Sequence, residues 1–334
     1  MTQNVKYLGL PLLHTRRKTK DFDFILEKLD SKLAGWKAKT LSQAGRLTLI
    51  QAVGQALPIY TMQTIAIPKK IYGEIDNRLR RFWWGQNRED NRGLCLRAWS
   101  KICTPKNKGG LGIRLAKEAN MALLAKWGWD LVTRKKSLCL DILRAKYLRE
   151  VPFLKKERKD GDSWIWKGIL SSRTILAGNA YLSVGNGRSI NFWEDPWVPY
   201  GNQLCPTPSG MPRHNFLRVS DFIENGKWNV YKLNQSFHAA DVHNIIRIRI
   251  PRIEVEDKWK WRASKKGIFT TKSAYLASID PRLDGVSNVA TTTWLKLWKS
   301  CLHQRHKILW WKLLTDCIPT RSVLNGQMDL PNLS

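Results

Sequence analysis

Residues 68–85 read PKKIYGEIDNRLRRFWWG, and this stretch decides how the first part of the chain folds. Its apolar side chains include Ile71, Ile75, Leu79 and Phe82. Their three- and four-residue spacing is typical of one face of a helix. Proline favours the start of a helix, and glycine favours the position just beyond its last turn. The pattern therefore predicts a helix from the opening proline of this stretch to its final glycine.

The sequence before this stretch predicts two more amphipathic helices. One covers residues 21–36 and has the same apolar spacing. The other begins at Ser42, a favourable N-cap residue, and runs to Leu57, where Pro58 ends it. Three helices joined by short connections predict a small helical bundle. Their outward faces carry basic side chains: Lys28, Lys32, Lys69, Lys70, Arg78, Arg80 and Arg81.

The chain is strongly basic. Its 334 residues include 57 Lys and Arg against 27 Asp and Glu, which gives a formal net charge of +30. Residues 1–110 hold 21 basic and 8 acidic residues, whereas residues 161–250 hold 9 and 6. Such an excess indicates an anionic partner, with nucleic acid as the first choice and an acidic membrane surface as the second.

Several classes of protein are excluded by composition. No apolar run approaches the roughly 20 residues of a membrane span, so we expect no integral membrane protein. The apolar residues 7–13 are too few for a signal peptide. Six cysteines without a CxxC pair favour reduced thiols inside the cell. We therefore expect an intracellular protein; its compartment stays open, and the nucleus would suit a nucleic-acid partner.

Beyond residues 1–85, composition divides the chain into three further segments. Residues 86–160 form a basic connection with two helices, and residues 161–250 are near-neutral and rich in loops and strands, with a strand at 188–193. Residues 251–334 contain a hairpin, with strands at 258–262 and 267–271, followed by helices. Together they predict a mainly α fold with a smaller α+β part, in which a helical bundle precedes further helices and a short antiparallel β region.

Residues for catalysis are not apparent. The chain has no Asp-Asp pair to hold catalytic metal ions, and it lacks the HExxH, GxSxG and P-loop patterns. Cys301, His303, His306 and Cys317 are residue types that suit zinc, but their spacing does not match the common paired ligands. We therefore expect no catalytic residue, no metal site and no cofactor.

Seventeen tryptophans form the other anomaly, and they recur in pairs such as Trp310 and Trp311. Tryptophan at helical or strand periodicity is usually buried, which favours a role in the core. Among cationic side chains, tryptophan also stacks on nucleic-acid bases. Both interpretations stay open, with the core favoured for most of the seventeen.

An ordered series of short motifs is more specific than any single one. The motifs are YLGLPL at 7–12, WKAKTLSQAGR at 36–46, PIY at 58–60, FWWG at 82–85, GGLG at 109–112, FWEDPW at 192–197, FTTKSAY at 269–275, and WW at 310–311 before IPT at 318–320. In this order they resemble the region downstream of the polymerase palm in plant LINE-type (non-LTR) retrotransposon reverse transcriptases. The resemblance covers essentially the whole chain.

The resemblance implies a fragment of an RNA-directed DNA polymerase. Residues 1–85 would be a thumb-like helical bundle, and residues 251–334 would be the start of the reverse transcriptase zinc-binding region, cut before its zinc ligands. The catalytic aspartates of that family would precede residues 7–12, so we expect truncation at both ends and no activity of its own. Its expected partners are RNA or an RNA/DNA duplex, together with the palm half of a reverse transcriptase.

The candidate nucleic-acid-binding residues lie on the predicted bundle: Lys37, Lys39, Ser42, Arg46, Lys69, Lys70, Arg80 and Arg81. The helix that begins at Ser42 would offer free backbone N–H groups and a positive dipole end to a phosphate. The alternative is that Ser42 serves only as an N-cap and that the lysines are solvated.

Two other functions stay open from the residues alone. The chain could be a non-functional relic or a structural or interaction protein, whose tryptophans all belong to the core. As a third alternative it could be a zinc module built on the cysteines and histidines between residues 301 and 317.

Overall fold

The structure of the chain is a computed structural model that describes residues 6–7, 10–11, 19–34, 40–85, 95–200, 204–207, 217–283, 287–318 and 320. The chain groups into two compact units. The first consists of Met1–Met121 with Ile279–Ser334, and the second of Ala122–Ser278. The division into four segments by composition stays a prediction.

The described residues are mainly α-helical. In chain order the α-helices are α1 (Asp23–Leu33), α2 (Gln43–Leu49), α3 (Ile59–Thr64), α4 (Lys69–Trp84), α5 (Trp99–Ile102), α6 (Ala116–Val132), α7 (Leu138–Leu143), α8 (Trp164–Ser171), α9 (Arg173–Ala177), α10 (Val230–Ser236), α11 (Ala239–Ile246), α12 (Thr271–Ile279), α13 (Thr291–Lys299) and α14 (Gln304–Leu314). The strands are β1 (Lys6–Tyr7), β2 (Leu10–Pro11), β3 (Ala180–Ser183), β4 (Ile223–Glu224), β5 (Lys227–Trp228) and β6 (Lys258–Trp261), paired antiparallel as β1–β2, β3–β6 and β4–β5. This architecture confirms the predicted fold class.

The first helices form as the apolar spacing predicts. Ser42 caps α2, because its hydroxyl accepts a hydrogen bond from the Gly45 N–H at 3.3 Å. Gly85 adopts a left-handed conformation, with φ of 72°, and ends α4. Helix α4 packs against both α1 and α2. The predicted second helix differs in its last part, since α2 continues as a π-helical turn at Ile50–Gly54, and Pro58 then precedes α3.

The buried side of this helical group depends on a close approach at Gly54. Leu29, Ile50, Leu79 and Trp83 are all buried there. A Cβ atom added at Gly54 would lie 2.6 Å from Cδ2 of Leu79, well inside the distance of normal contact. Glycine therefore lets the π-helical turn pack directly on α4.

A buried asparagine joins the beginning of α6 to the connection between α3 and α4. The Asn120 side-chain oxygen accepts hydrogen bonds from the Ile67 N–H at 2.9 Å and from the Tyr72 hydroxyl at 2.5 Å. Its amide nitrogen donates to the carbonyl oxygens of Met62 at 2.5 Å and Ile65 at 3.1 Å. All four hydrogen-bonding positions of the amide are satisfied, which is what a buried polar group requires.

Helix α14 belongs to the same unit and packs onto it through Trp311. The indole N–H of Trp311 donates to the Gly109 carbonyl at 2.9 Å. The Trp311 ring also meets Trp83 edge-on, with ring centroids 6.1 Å apart. Side chains from two distant parts of the sequence thus complete one core.

The second unit has its own core and a short sheet. Phe192, Trp197, Val219, Leu233 and Ile245 belong to one buried cluster. In the sheet, β3 and β6 pair from Ala180 opposite Trp261 to Ser183 opposite Lys258. The segment that was predicted to be rich in loops and strands, residues 161–250, contains the four short helices α8–α11.

The predicted hairpin between 258–262 and 267–271 does not form. Strand β6 pairs instead with β3, which lies far away in the sequence, and residues 268–270 are not a strand. The turn after β6 is nevertheless present, because the Trp261 N–H donates to the Gly267 carbonyl at 2.9 Å.

The predicted strand at 188–193 is also wrong, apart from an isolated bridge between Asn191 and Arg218. A remote carboxylate holds the chain in a turn there. Oδ1 of Asp257 accepts hydrogen bonds from the N–H groups of Gly185 at 2.7 Å and Gly187 at 2.9 Å. Its Oδ2 accepts from the N–H and the hydroxyl of Ser189, at 3.1 and 2.7 Å. These bonds hold residues 185–189 in a turn, and the only strand-like hydrogen bonds of the described segment 188–193 flank the bridge, from the Phe192 N–H to the Leu217 carbonyl and from the Val219 N–H to the Ile190 carbonyl.

Burial confirms the core interpretation for many of the tryptophans. Six of them are fully buried: Trp83, Trp166, Trp197, Trp261, Trp294 and Trp311. Several pack against other rings, as Trp129 does on Trp261 with centroids 5.8 Å apart. Aromatic packing therefore accounts for much of the unusual tryptophan content.

Candidate nucleic-acid interface

Helix α4 carries four of the predicted nucleic-acid-binding residues. Lys69, Lys70 and Arg80 are exposed, and Arg81 is partly buried. The opposite face of the helix is apolar and buried, so the basic side chains can lie only on its outer side. None of the four forms an ion pair with another residue that the structure describes. Their charge therefore remains available to an anionic partner.

The two lysines lie where an anion is favoured. They occupy the first turn of α4, which contains no acidic residue. The start of a helix already has unpaired N–H groups and a positive dipole end, so cations there raise the local positive potential.

Arg80 and Arg81 lie at the other end of α4. Eleven residues separate Lys69 from Arg80, which corresponds to about 16 Å along the helix axis at about 1.5 Å per residue. Duplex DNA carries one negative charge per about 1.7 Å of its axis, so this distance spans roughly five base pairs. The structure thus places these candidates in two groups along one helix and does not gather them into a single pocket.

Ser42 and Arg46 lie on α2 and have partners within the protein. The Ser42 hydroxyl is the N-cap of its helix, as described above, which agrees with the structural alternative for this residue. The Arg46 guanidinium lies at the C-terminal end of α4, where Nη1 donates to the Trp83 carbonyl at 3.5 Å. A cation at this end of a helix is favourable, because the last carbonyl groups are unpaired. Lys37 and Lys39 lie outside the described residues.

The sequence interpretation missed a pair of lysines around Trp298. The Lys106 ammonium lies 4.8 Å from the centre of the Trp298 ring, in a cation–π contact. Lys307 is only 9% exposed, and its Nζ donates to the Trp298 carbonyl at 3.1 Å. Burial and the neighbouring Lys307 lower the pKa of Lys106. Periodicity could have revealed Lys307, since it shares the buried face of α14 with Ile308 and Trp311.

An acidic pair was missed as well, the partly buried Asp76 and the buried Glu118, because its members lie far apart in the sequence. Asp76 on α4 accepts a hydrogen bond from the Ala116 N–H at the start of α6, at 3.2 Å. Burial raises the pKa of Asp76 to about 7, and the nearby Glu118 carboxylate adds to the rise. Carboxylates with a raised pKa also occur at active sites. The Asp76 carboxylate, however, accepts a hydrogen bond from the first N–H of α6, which is a structural role.

The four residues considered for zinc are spread over both surface and interior. Cys301, His303 and His306 are exposed, whereas Cys317 is buried. The rings of His303 and His306 meet edge-on, with centroids 6.2 Å apart. Among the described residues, no group of three or more Cys, His, Asp or Glu side chains is arranged to hold a metal ion.

Two Arabidopsis thaliana proteins are similar in sequence to this chain. One, named "Putative ribonuclease H protein", is 31% identical over 330 residues, which cover 93% of this chain and 51% of that protein. The other, an uncharacterized mitochondrial protein, is 28% identical over 152 residues, which cover 45% of this chain and 98% of that protein. The chain therefore spans about half the length of the first relative. No protein-family profile matches the chain.

The expected similarity to plant proteins is confirmed by these relatives, and it extends over nearly the whole chain. Neither name mentions a reverse transcriptase, so the assignment to that enzyme is a proposal. Within the described ranges, no helix combines the length and the apolar character needed to cross a membrane.

Proposed function

We propose that this chain is a nucleic-acid-binding part of a protein derived from a plant LINE-type (non-LTR) retrotransposon, and that it holds the backbone of RNA or of an RNA/DNA duplex. In this proposal the helical group around α4 has the role of a polymerase thumb. The chain binds without a reaction of its own, and a reverse transcriptase palm is its protein partner. The ordered motifs and the relative named for ribonuclease H support this origin.

One observation carries the proposal. A chain with a net charge of +30 presents cations on the outer side of α4 that form no ion pair with the rest of the described residues. Unpaired surface cations on one side of a rigid helix suit a phosphate backbone, because each contact releases a condensed counterion. Phosphate contacts do not depend on the identity of the bases. An interface of this kind therefore binds nucleic acid without sequence preference.

Binding to a labelled RNA/DNA duplex over a salt series tests the proposal. The full chain should bind tightly at about 50 mM salt, and the logarithm of its affinity should fall linearly with the logarithm of the salt concentration. A well-folded preparation that binds no nucleic acid at about 50 mM salt would overturn the proposed function.

A double variant tests the position of the contact. The double variant Lys69→Ala with Lys70→Ala should make the slope of log affinity against log salt concentration less negative by about 1 to 2. Each lost phosphate contact contributes about 0.9 to that slope. Lys265→Ala with Lys266→Ala is the matched control, because it removes two adjacent exposed lysines from the other unit. An unchanged slope in the first variant would exclude Lys69 and Lys70 as phosphate contacts while leaving nucleic-acid binding intact.

The second candidate is a structural or interaction protein without nucleic-acid affinity. It is favoured by the internal contacts of Ser42, which caps α2, and of Arg46, which meets the C-terminal end of α4, and by the six fully buried tryptophans. The same salt series separates the two candidates, because this one requires a folded chain without affinity for any of the probes.

A further inference from the structure

Trp310 differs from every other tryptophan that the structure describes. Its side chain is 51% exposed, whereas the adjacent Trp311 is fully buried. The buried face of α14 is formed by Lys307, Ile308 and Trp311, so Trp310 points away from the core of its unit. A single exposed aromatic side chain is common at protein surfaces, whereas a contiguous exposed apolar patch marks an interaction site.

The surroundings of Trp310 form an exposed aromatic and apolar face on α14. His306 lies one turn before it, Leu309 is its neighbour, and Leu313 lies one turn after it. Leu309 is 51% exposed and Leu313 is 48% exposed. The ring of His303 extends this face, since it meets the His306 ring edge-on. Three ring-bearing side chains therefore follow one another along the outer side of a single helix.

Basic residues are concentrated in the sequence of α14 and of the helix before it. Residues 285–315 contain five Lys and Arg residues and no Asp or Glu. Of these five, Lys296, Lys299 and Arg305 are exposed. The exposed Asp316 lies just beyond the end of α14, so the local charge is mixed there but remains positive in sum. A positive surface repels most cationic surfaces and attracts an anionic chain. Exposed aromatic rings among cations are the combination with which proteins bind single strands, since the rings stack on bases and the cations follow the phosphates.

We infer that the outer face of α14, centred on Trp310, is a stacking site for the bases of single-stranded RNA or DNA. This inference rests on the proposed function and adds to it a second contact of a different kind. The cations of α4 suit a duplex backbone, whose base faces are hidden. Trp310 takes unpaired bases, and its contribution to affinity does not depend on salt, because stacking releases no counterions.

Substitution of Trp310 tests the inference with two probes. These are a fluorescein-labelled oligothymidylate of about 20 nucleotides and a duplex of the same length, measured by anisotropy at about 50 and 200 mM salt. The variants are Trp310→Ala, Trp310→Phe, which keeps an aromatic ring, and Trp310→Leu, which keeps only apolar surface. Tyr231→Ala is the matched control, because it removes an aromatic side chain that is 74% exposed on α10, in the other unit.

Trp310→Ala should weaken binding of the single strand by about 5-fold to 150-fold, the loss expected for about one stacked base. Trp310→Phe should keep most of the affinity and Trp310→Leu should lose it. Tyr231→Ala should change the affinity by less than about twofold. Duplex affinity and the salt slope should stay as in the wild type.

Three results would overturn the inference, and they differ in what else they affect. If wild type binds the single strand and Trp310→Ala binds it equally well, the stacking site is wrong and the proposed function stands. If Trp310→Leu binds as well as wild type while Trp310→Ala does not, the face needs only apolar area and suits a protein partner. If wild type binds neither probe, the proposed function fails and the stacking site fails with it.

Discussion

Replacing Asp76 by asparagine should change how the stability of the chain depends on pH. Asp76 lies between α4 and the start of α6, where its carboxylate accepts the Ala116 N–H. Burial, with a smaller contribution from Glu118, raises its pKa from the ordinary 3.8 to about 7. The folded chain therefore holds a proton on this group over a range of pH in which the unfolded chain has lost it.

The direction and size of the effect follow from this difference in proton binding. Between about pH 4 and pH 7 the folded state binds more protons at Asp76, so the free energy of unfolding falls as pH rises. The fall begins near the unfolded value, 3.8, and is complete just above the folded value, about 7. At about 1.4 kcal/mol for each pH unit, the upper limit is about 4 kcal/mol. Relaxation and water entry should reduce this to about 1–3 kcal/mol.

The asparagine side chain in the variant cannot ionise and still offers an oxygen to the Ala116 N–H, so Asp76→Asn should remove this fall. Urea unfolding of wild type and variant at pH 5, 6, 7 and 8 measures it. Because the other ionisable groups are common to both proteins, the difference in free energy of unfolding isolates Asp76. That difference should grow in favour of the variant from pH 5 to pH 8.

The matched control is Asp141→Asn, which removes a carboxylate that is 61% exposed on α7. Its difference from wild type should be small and nearly constant with pH, since an exposed pair contributes little. A difference between Asp76→Asn and wild type that is constant from pH 5 to pH 8 would refute the assignment of a raised pKa to the partly buried Asp76.

Two further substitutions test the polar contacts that organise the two units. Asp257→Ala should lower the free energy of unfolding of the second unit by about 3 kcal/mol or more, because four hydrogen bonds to one carboxylate are lost; a thermal or urea transition shifted by less than about 1 kcal/mol would contradict it. Asn120→Leu keeps the volume of a buried side chain but leaves two carbonyl groups and two donors without their partner. The free energy of unfolding of the first unit should therefore fall by about 3 kcal/mol. A wild-type value in urea unfolding would show that water or relaxation satisfies those groups.

Local signals in the sequence account well for α4 and for the start of α2. The apolar spacing, Gly85 and Ser42 act within a few residues of where they stand, so their effects are visible without knowledge of the rest of the fold. The β pairing was missed for the opposite reason. Strand β6 pairs with β3, and Asp257 accepts a hydrogen bond from the Gly185 N–H, in both cases across more than seventy residues of sequence. No local sequence pattern predicts contacts between residues so far apart.

The candidate site was predictable in the same measure. Exposure of Lys69, Lys70 and Arg80 follows from the periodicity of one helix. The position of Arg46 does not, because the orientation of α2 against α4 decides that its guanidinium meets the Trp83 carbonyl. The contrast between Trp310 and Trp311 does not follow from the sequence, because each of them follows a buried residue of α14, Lys307 or Ile308, by three positions. The packing of α14 decides it, since the Trp311 indole meets the Gly109 carbonyl and the Trp83 ring.

The contact between Trp83 and Trp311 has a consequence for how the chain acquires its structure. The first unit is interrupted by the whole of the second, so its two parts meet only after a long loop has closed. During synthesis the ribosome releases Ala122–Ser278 before it releases α14. If that continuous unit folds as it emerges, the loop between the two parts of the first unit becomes compact. The entropic cost of bringing those two parts together is then smaller. Until α14 emerges, Trp83 lacks the ring that packs against it, although α1, α2 and α4 can already pack on one another.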